Sequence, residues 1–166
     1  MVRPFNAYGP REHCIGDLAE VIPRFVIAML NGQPPVIFGS GEQGRDFTYV
    51  TEVARGIALA GQVDAVVGKI VNIARGQLIT IQRLALTVAA LCRRPDLKPI
   101  YMNSRPGEVR SLHARTDRAR QLLAYQPTIS LEEGLERYID WFIRMHPDPS
   151  GLLEKDPINW SMPEIA

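Results

Sequence analysis

Arg45 is the residue whose setting most strongly suggests chemistry, because it closes a loop with three glycines, Gly39, Gly41 and Gly44. A guanidinium offers forked donors that match two oxygens of a diphosphate, and glycines let a polyanion approach the backbone without side-chain clashes. We therefore predict that this loop clamps a diphosphate. The stretch is equally compatible with a surface hairpin in which Arg45 pairs with Asp46 or Glu42.

The same glycines spell G-x-G-x-x-G after an apolar strand, which is the pattern of a dinucleotide-binding turn. In that turn the third glycine lies within a helix whose free N–H groups face the pyrophosphate, and an acidic residue ends the next strand. Here the loop runs into RDFTYV at 45–50, whose aromatic and β-branched residues favour an extended chain. The next helix signal is Thr51 as N-cap with Glu52 in the first turn. We therefore reject the dinucleotide-binding interpretation.

Composition and charge exclude several classes of protein. The chain has 166 residues, of which 46% are hydrophobic and 22% charged, as is typical of a globular domain. Its formal net charge is +1 and the basic residues are scattered, so we expect no nucleic-acid partner and no membrane contact. Cys14, Cys92 and the three histidines lack metal-type spacing, so we predict no metal site. A reducing cytoplasm is the expected location.

Helices alternate with short strands around the central loop, which predicts an α/β fold. A strand over 1–6 leads to a turn and a loop over 12–20, and the first helix begins near Pro23 and ends at Gly32. A second helix is predicted over 52–60, with Val53, Ile57 and Ala58 facing inward. Further strands are predicted over 69–74 and 99–102.

Capping signals mark the later helices. Thr80 caps a helix that stops before Pro95, and Thr116 caps a short helix that ends near Leu123. Ser130 and Glu133 form a capping box for a last helix with an apolar inner face at Leu131, Leu135, Tyr138, Ile139 and Phe142. Residues 146–166 contain four prolines and predict a tail, with Trp160 packed back onto the body.

Six motifs follow one another along the chain: RPFNAYGPR at 3–11, VIPRF at 21–25, GSGEQGRDFTYV at 39–50, VNIARG at 71–76, RPGE at 105–108 and SLEEGL at 130–135. In this order they resemble the C-terminal, substrate-binding half of an extended short-chain dehydrogenase/reductase. The family is that of the NAD-dependent nucleotide-sugar epimerases and dehydratases, with UDP-glucose 4-epimerases as near relatives. The resemblance covers about residues 1–145. It implies a small mixed α/β substrate-binding portion that lacks most of the Rossmann domain.

The resemblance implies a role for individual residues. Arg45 and Arg105 match the family's two diphosphate-clamping arginines, which favours the clamp over the hairpin. Asn6 matches an asparagine that touches the diphosphate, although a satisfied turn amide is the alternative. Phe5 lies where the family's backbone borders the nicotinamide, so it is our cofactor-binding prediction.

The remaining predicted substrate contacts surround the nucleotide. Val21 and Ile22 match the helix start beside it, and Asn72 matches a residue that lines the slot of the base. Val36 and Phe38 match the strand that flanks the base, although a strand aromatic such as Phe38 is often simply core. Glu108 replaces a more usual aspartate near the ribose. Phe47 stands where some members have tyrosine, so a hydroxyl contact there is lost.

The family's catalytic pair is missing from this chain. In these enzymes a Tyr-x-x-x-Lys pair takes a proton from a sugar hydroxyl while NAD takes a hydride. None of the five tyrosines has lysine four residues later, and no NAD-binding glycine turn is present. We therefore expect the chain to bind a nucleotide-diphosphate sugar but, alone, to be inactive and not to bind NAD.

Two interpretations of function follow. In the first, the chain is the nucleotide-sugar-binding half of a sugar epimerase or dehydratase and works with a separate N-terminal Rossmann half. Without that half, strands made for a sheet interior would expose edges, and we expect self-association. In the second, the chain is a stand-alone, non-catalytic nucleotide-sugar-binding or interaction module.

Overall fold

The computed structural model describes residues 1–154 and 156–158, and in this part of the chain five α-helices alternate with short strands. The helices are α1 (Val21–Leu30), α2 (Val50–Ala60), α3 (Ile81–Leu91), α4 (Asp117–Leu123) and α5 (Leu131–Met145). The strands are β1 (Val2–Pro4), β2 (Ala7–Tyr8), β3 (Val36–Phe38), β4 (Gly44–Arg45), β5 (Thr48–Tyr49), β6 (Val71–Ile73), β7 (Ile79–Thr80), β8 (Ile100–Met102) and β9 (Ser111–Leu112). The predicted α/β class is confirmed.

The strands form small sheets that are mostly parallel. β1 pairs with β6, β2 with β5 and β3 with β8, all in parallel. β4 lies between β7, which is antiparallel to it, and β9, which is parallel, so that Arg45 is opposite both Ile79 and Leu112. β9 was not predicted, because two residues are too few to show an alternating pattern. Its pairing brings the chain after Arg105 to the side of Arg45.

Two apolar clusters hold these elements together. The larger cluster packs α1, α3 and α5 against the β2 and β5 region, with Tyr8, Phe25, Leu84, Tyr138 and Phe142 among its buried members. The smaller cluster joins β6 to α4 and includes Val71, Ile73, Leu123 and Tyr125. The larger cluster therefore fixes α1 relative to β3, and these two elements border the cavity described below.

Local capping signals predicted two helix starts correctly. The Thr80 hydroxyl accepts a hydrogen bond from the Arg83 amide (3.1 Å), and the Ser130 hydroxyl accepts one from the Glu133 amide (3.0 Å). All five residues of the predicted inner face of α5 are buried. Thr116 precedes α4 as expected, but its side chain makes no capping hydrogen bond.

The prediction for α2 was wrong at its start and on its face. The helix begins at Val50 with Tyr49 as N-cap, not after Thr51. Ile57 is 48% exposed and Ala58 is also exposed, whereas the buried residues of the helix are Glu52, Val53 and Gly56. The Glu52 carboxylate accepts hydrogen bonds from the amide and hydroxyl of Thr128 (3.1 Å each), so a polar anchor defines the inner face. An apolar pattern does not reveal such an anchor.

The segment after α5 lies against the body. Residues Ser150–Leu152 form a short 3-10 turn, and Leu152 packs against the larger cluster. The Asn31 side-chain amide donates to the carbonyl of Pro149 (3.2 Å), which ties this segment to the end of α1. Trp160, which we predicted to pack back onto the body, lies outside the described residues.

No helix in the described part of the chain is both long and apolar enough to cross a membrane. The longest, α5, has 15 residues.

Substituting Gly56 tests the packing of α2 on β6. A Cβ at Gly56 would lie 2.5 Å from Ile73 Cγ2 and 3.0 Å from Tyr125 Cε2, both on buried side chains. We expect Gly56→Ala to lower the free energy of unfolding by about 1–3 kcal/mol, because overpacking outweighs the better helix propensity of alanine. Urea denaturation measures this difference.

Gly61→Ala is the matched control at the end of the same helix. Gly61 has φ −75° and the nearest atom to its added Cβ is 3.5 Å away, so alanine fits there. We expect no loss of stability, or a small gain through the unfolded state. Equal losses for the two variants would contradict close packing at Gly56.

Candidate functional site

A cavity of about 560 Å³ lies between α1, β3, the glycine loop and the segment after α5. Its volume is in the range of small-molecule sites. Seven of the predicted ligand-binding residues line it: Asn6, Val21, Val36, Phe38, Arg45, Arg105 and Glu108. The fold therefore brings together residues that are up to about a hundred positions apart in the sequence.

Arg45 is held by the segment that follows Arg105. Its Nη1 donates hydrogen bonds to the carbonyl of Val109 (2.8 Å) and to that of Gly44 (2.9 Å), and its Nη2 pairs with Oε1 of Glu108. The parallel pairing of β4 with β9 makes these contacts possible, because it aligns the two segments side by side. The structure does not have the alternative hairpin, in which Arg45 pairs with Asp46 or Glu42. Glu108, predicted near a ribose, instead contacts this guanidinium.

Arg105 reaches the cavity from a different direction. Its guanidinium carbon lies 4.8 Å from the ring centroid of Phe38, in a cation–π arrangement. Burial lowers the pKa of Arg105, and the nearby positive charge of Arg24 lowers it further. Phe38 is itself 8% exposed, so it is both a core residue and part of the cavity wall. The cavity thus holds a partly buried guanidinium beside an aromatic face.

Arg24 is a third arginine of the cavity, and we did not predict it. Its Nε donates to the carbonyl of Ala19 (2.8 Å), and its Nη1 pairs with Oε2 of Glu154 (2.5 Å). Its side chain is only 12% exposed. A helical period does offer a signal, since Val21, Arg24 and Ala28 all line the cavity from one face of α1.

Three predicted residues do not line the cavity. Ile22 is 1% exposed and belongs to the larger apolar cluster, because it follows Val21 by one position and so turns to the other side of the helix. Asn72 lies on β6, and its side chain donates to the carbonyl of Arg115 (3.1 Å). The Phe5 amide donates to the carbonyl of Ile73 (3.1 Å) beside β1. The structure therefore does not bring Asn72 or Ile22 to the slot with the arginines.

Asn6 combines its two predicted roles. Its side-chain amide donates to the carbonyl of Asp46 (3.3 Å), as a turn amide does, and the residue also lines the cavity. Its backbone has φ +32°, a conformation that asparagine tolerates better than most residues. Phe47, which stands where some family members have tyrosine, is 5% exposed and lines the cavity too.

Asp46 is a fully buried carboxylate that organises the backbone behind Arg45. It accepts hydrogen bonds from the amides of Gly76 (3.1 Å) and Ala114 (3.2 Å). Burial raises the pKa of Asp46, while these backbone donors oppose that shift. The oxygens of Asp46 accept hydrogen bonds from backbone amides. The neighbouring Arg45 therefore pairs with Glu108 and not with Asp46. Sequence reasoning treated it only as a possible ion-pair partner.

Glu12 adds a titratable carboxyl to the cavity wall. It is half-buried, and the amide of Gly9 donates weakly to its Oε2 (3.4 Å). Burial raises the pKa of Glu12 to about 8, and the negative charge of Glu20 contributes in the same direction. Nothing in the local sequence distinguishes Glu12, because its environment comes from segments that are distant along the chain.

Comparison with known proteins relates this chain to one family. Residues 1–74 match the model of the NAD dependent epimerase/dehydratase family. The UDP-glucose 4-epimerase of Mycolicibacterium smegmatis is 32% identical over 141 residues, which is 85% of this chain and 44% of the relative. The chain belongs to the NAD dependent epimerase/dehydratase family.

Solved structures of family members match the same part of the fold. An epimerase from Methanothermobacter thermautotrophicus aligns with a TM-score of 0.84 at 32% identity, covering 90% of this chain and 44% of that one. The UDP-glucose 4-epimerase of Thermotoga maritima, determined with UDP-glucose, aligns with a TM-score of 0.80 at 33% identity, covering 87% and 45%. This family member therefore spans less than half the length of these relatives and corresponds to their C-terminal portion.

In the described part of the chain, the glycine loop does not form the turn with which a dinucleotide-binding motif holds NAD. The glycine loop 39–44 leads into β4 and not into a helix, so it offers no helix N-terminus to a dinucleotide. Phe5 is the residue that the resemblance relates to the nicotinamide, and it lies apart from the cavity lining.

The pH dependence of stability tests the environment of Glu12. Because its pKa is raised from 4.5 to about 8 in the folded protein, the neutral form favours folding. This contribution is complete below pH 4.5 and is lost as the pH rises through 8. Relative to Glu12→Gln, we expect the wild-type free energy of unfolding to fall by about 1–2 kcal/mol between pH 5 and pH 8.5.

Urea denaturation at constant ionic strength measures this difference, and the exposed Glu136 supplies the control. Glu136→Gln should follow the wild-type pH profile. Parallel profiles for Glu12→Gln and the wild type would show that Glu12 is not held in a dry environment.

Proposed function

We propose that this chain binds a nucleotide-diphosphate sugar in the cavity, as the substrate-binding half of a nucleotide-sugar epimerase or dehydratase. The observation that carries the proposal is the convergence of Arg45 and Arg105, sixty residues apart in the sequence, on one cavity with an aromatic wall. The T. maritima relative, which was determined with UDP-glucose, supports the same ligand class.

The cavity has a suitable group for each part of such a ligand. Phe38 and Val36 offer an apolar surface to the base, while the two arginines offer charge-assisted hydrogen bonds to the phosphates. Each bond of that type contributes about 1.5–3 kcal/mol in a partly dry site. Asn6 also lines the cavity, and we assign its side-chain amide to the same phosphates.

Binding requires that Arg45 exchange its partner. In the structure Glu108 neutralises Arg45, and the side chains are 17% and 22% exposed. A diphosphate that approaches Arg45 and Arg105 competes with this carboxylate or displaces it towards the ribose. The position predicted for Glu108 beside the ribose and the observed contact with Arg45 therefore describe two states of one side chain.

The chemical step belongs to a second component. The chain lacks the Tyr-x-x-x-Lys pair, so we propose that a Rossmann half supplies both that pair and NAD. The two-stranded sheet of β1 and β6 is a suitable place for that half to dock, since Met1 and Ile70 beside these strands are 73% and 40% exposed. Self-association through the same edge is the competing outcome.

The assembled protein would be an isomerase or lyase of carbohydrate metabolism. We place it in the cytoplasm, which agrees with the free thiols of Cys14 and Cys92. We propose a nucleotide-sugar-binding portion over 1–145 and a C-terminal segment over 146–166. Pro149 and Leu152 of that segment contact the binding portion.

Substitution of the two arginines tests the clamp. We expect Arg45→Gln and Arg105→Gln each to weaken the binding of UDP-glucose by about tenfold or more, because each removes a charge-assisted contact with the diphosphate. Isothermal titration calorimetry measures the affinity. Arg115→Gln is the control, since its side chain is 92% exposed and does not line the cavity. Equal affinities for the wild type and all three variants would contradict a diphosphate clamp in this cavity.

Restoration of activity distinguishes the enzyme half from a stand-alone binding module. The N-terminal part of the M. smegmatis epimerase that lies outside the match is supplied with NAD as a separate polypeptide, and the 4-epimer of UDP-glucose is quantified. We expect turnover that is abolished by Arg45→Gln. That relative's own two parts, mixed in the same way, are the positive control. UDP-glucose binding without turnover, while the control pair is active, would favour the non-catalytic module.

A further inference from the structure

The segment after α5 forms one wall of the cavity. Leu152, Leu153, Glu154 and Pro157 all line it, although they belong to the stretch for which the sequence predicts a tail. The segment is fixed at one end by the hydrogen bond from Asn31 to Pro149 and by the packing of Leu152 on the larger apolar cluster. Its position against the cavity therefore has structural support at several points.

Glu154 places a carboxylate among the arginines. Its Oε2 lies 2.5 Å from Nη1 of Arg24, and the two side chains are 25% and 12% exposed. The same Nη1 also donates to the carbonyl of Pro157 (3.4 Å). The C-terminal segment thus supplies Arg24 with both an anion and a neutral acceptor, the partners that a phosphate group would replace.

We propose that Arg24 is a third anion-binding group of the cavity, and that Glu154 occupies it until a nucleoside diphosphate binds. This inference rests on the proposed function of the same cavity. It assigns Arg24 to the phosphates together with Arg45 and Arg105. It also assigns Glu154 the role of an internal competitor that lowers the affinity for anions.

Charge interactions in the cavity support this assignment. The charge of Arg24 lowers the pKa of Arg105 and the charge of Glu154 raises it, so both groups act on the place where the phosphates are proposed to lie. A diphosphate bound at Arg105 is therefore attracted by Arg24 and repelled by Glu154. Removing the charge of Arg24 should therefore weaken binding, and removing the charge of Glu154 should strengthen it.

A purely structural wall makes the opposite prediction for Glu154. If the segment only completes the cavity, the Arg24–Glu154 pair stabilises a binding-competent wall, and breaking the pair weakens binding. If Glu154 competes with the ligand, breaking the pair strengthens binding. The sign of the effect of a single substitution therefore separates the two roles.

The test measures binding of UDP by calorimetry to wild type, Glu154→Gln, Arg24→Gln, Arg24→Lys and the double variant. We expect Glu154→Gln to bind about three- to tenfold more tightly and Arg24→Gln about tenfold more weakly. Arg24→Lys keeps the charge and should stay within about threefold of wild type. In the Arg24→Gln background, Glu154→Gln should strengthen binding less than it does in the wild type, because the competed group is gone and only the repulsion between Glu154 and the ligand is removed.

Asp156→Asn is the matched control. Asp156 lies in the same segment and is exposed, and its carboxylate accepts only from the amide of Ile158 (2.9 Å) among the described contacts. The substitution removes the same charge as Glu154→Gln without touching Arg24. We expect its affinity to stay within about twofold of wild type. Thermal unfolding of each variant confirms that it is folded before binding is compared.

The outcomes separate this proposal from the function on which it rests. If wild type binds UDP and Arg45→Gln loses binding, but Glu154→Gln binds no more tightly, the competitor role is wrong and the proposed function stands. If Arg24→Gln binds as well as wild type, Arg24 is not an anion-binding group. If neither wild type nor Glu154→Gln binds UDP, the proposed function fails and this inference fails with it.

Discussion

Repulsion between guanidinium groups is the constraint on which the cavity of this family member depends. Arg24, Arg45 and Arg105 line one partly buried space, and the charge of Arg24 adds to the burial that lowers the pKa of Arg105. Carboxylates from other segments offset this repulsion, with Glu108 against Arg45 and Glu154 against Arg24. Charges of one sign in a low-dielectric space need such partners. A ligand with two phosphates meets the same need, which is why we associate this arrangement with a nucleoside diphosphate.

Buried polar groups hold the arginines in place from behind. Asp46 ties the backbone of β4 to the amides of Gly76 and Ala114, and the Thr48 hydroxyl accepts a hydrogen bond from the Arg75 amide (3.0 Å). Because an unsatisfied buried carboxylate is costly, these bonds leave the segment that runs from β4 into β5 with few alternative positions. The precision of the cavity therefore comes from groups that do not themselves line it.

Signals from neighbouring residues predicted where helices begin better than they predicted which side of a helix is buried. The N-cap at Thr80, the N-cap at Ser130 and the inner face of α5 depend on neighbours within a few residues, and all three are confirmed. The Glu133 side chain, which a capping box requires at the Ser130 amide, pairs with Arg137 (2.6 Å). The face of α2 was wrong, because the bond of Glu52 to Thr128, 76 residues away, determines which side is buried. The family resemblance placed Val21 and Ile22 together beside the nucleotide, whereas adjacent residues of a helix point to different sides and only Val21 lines the cavity.

The sequence by itself determined the family, the α/β class and seven of the residues that line the cavity, because ordered motifs and short-range capping are properties of the linear chain. Only the tertiary structure decided which charges meet. The contact of Glu108 with Arg45, the position of Arg24 and the return of Glu154 to the cavity depend on strand pairing and helix packing between distant segments. Electrostatic energy varies with distance in space, and residue spacing in a sequence does not specify that distance.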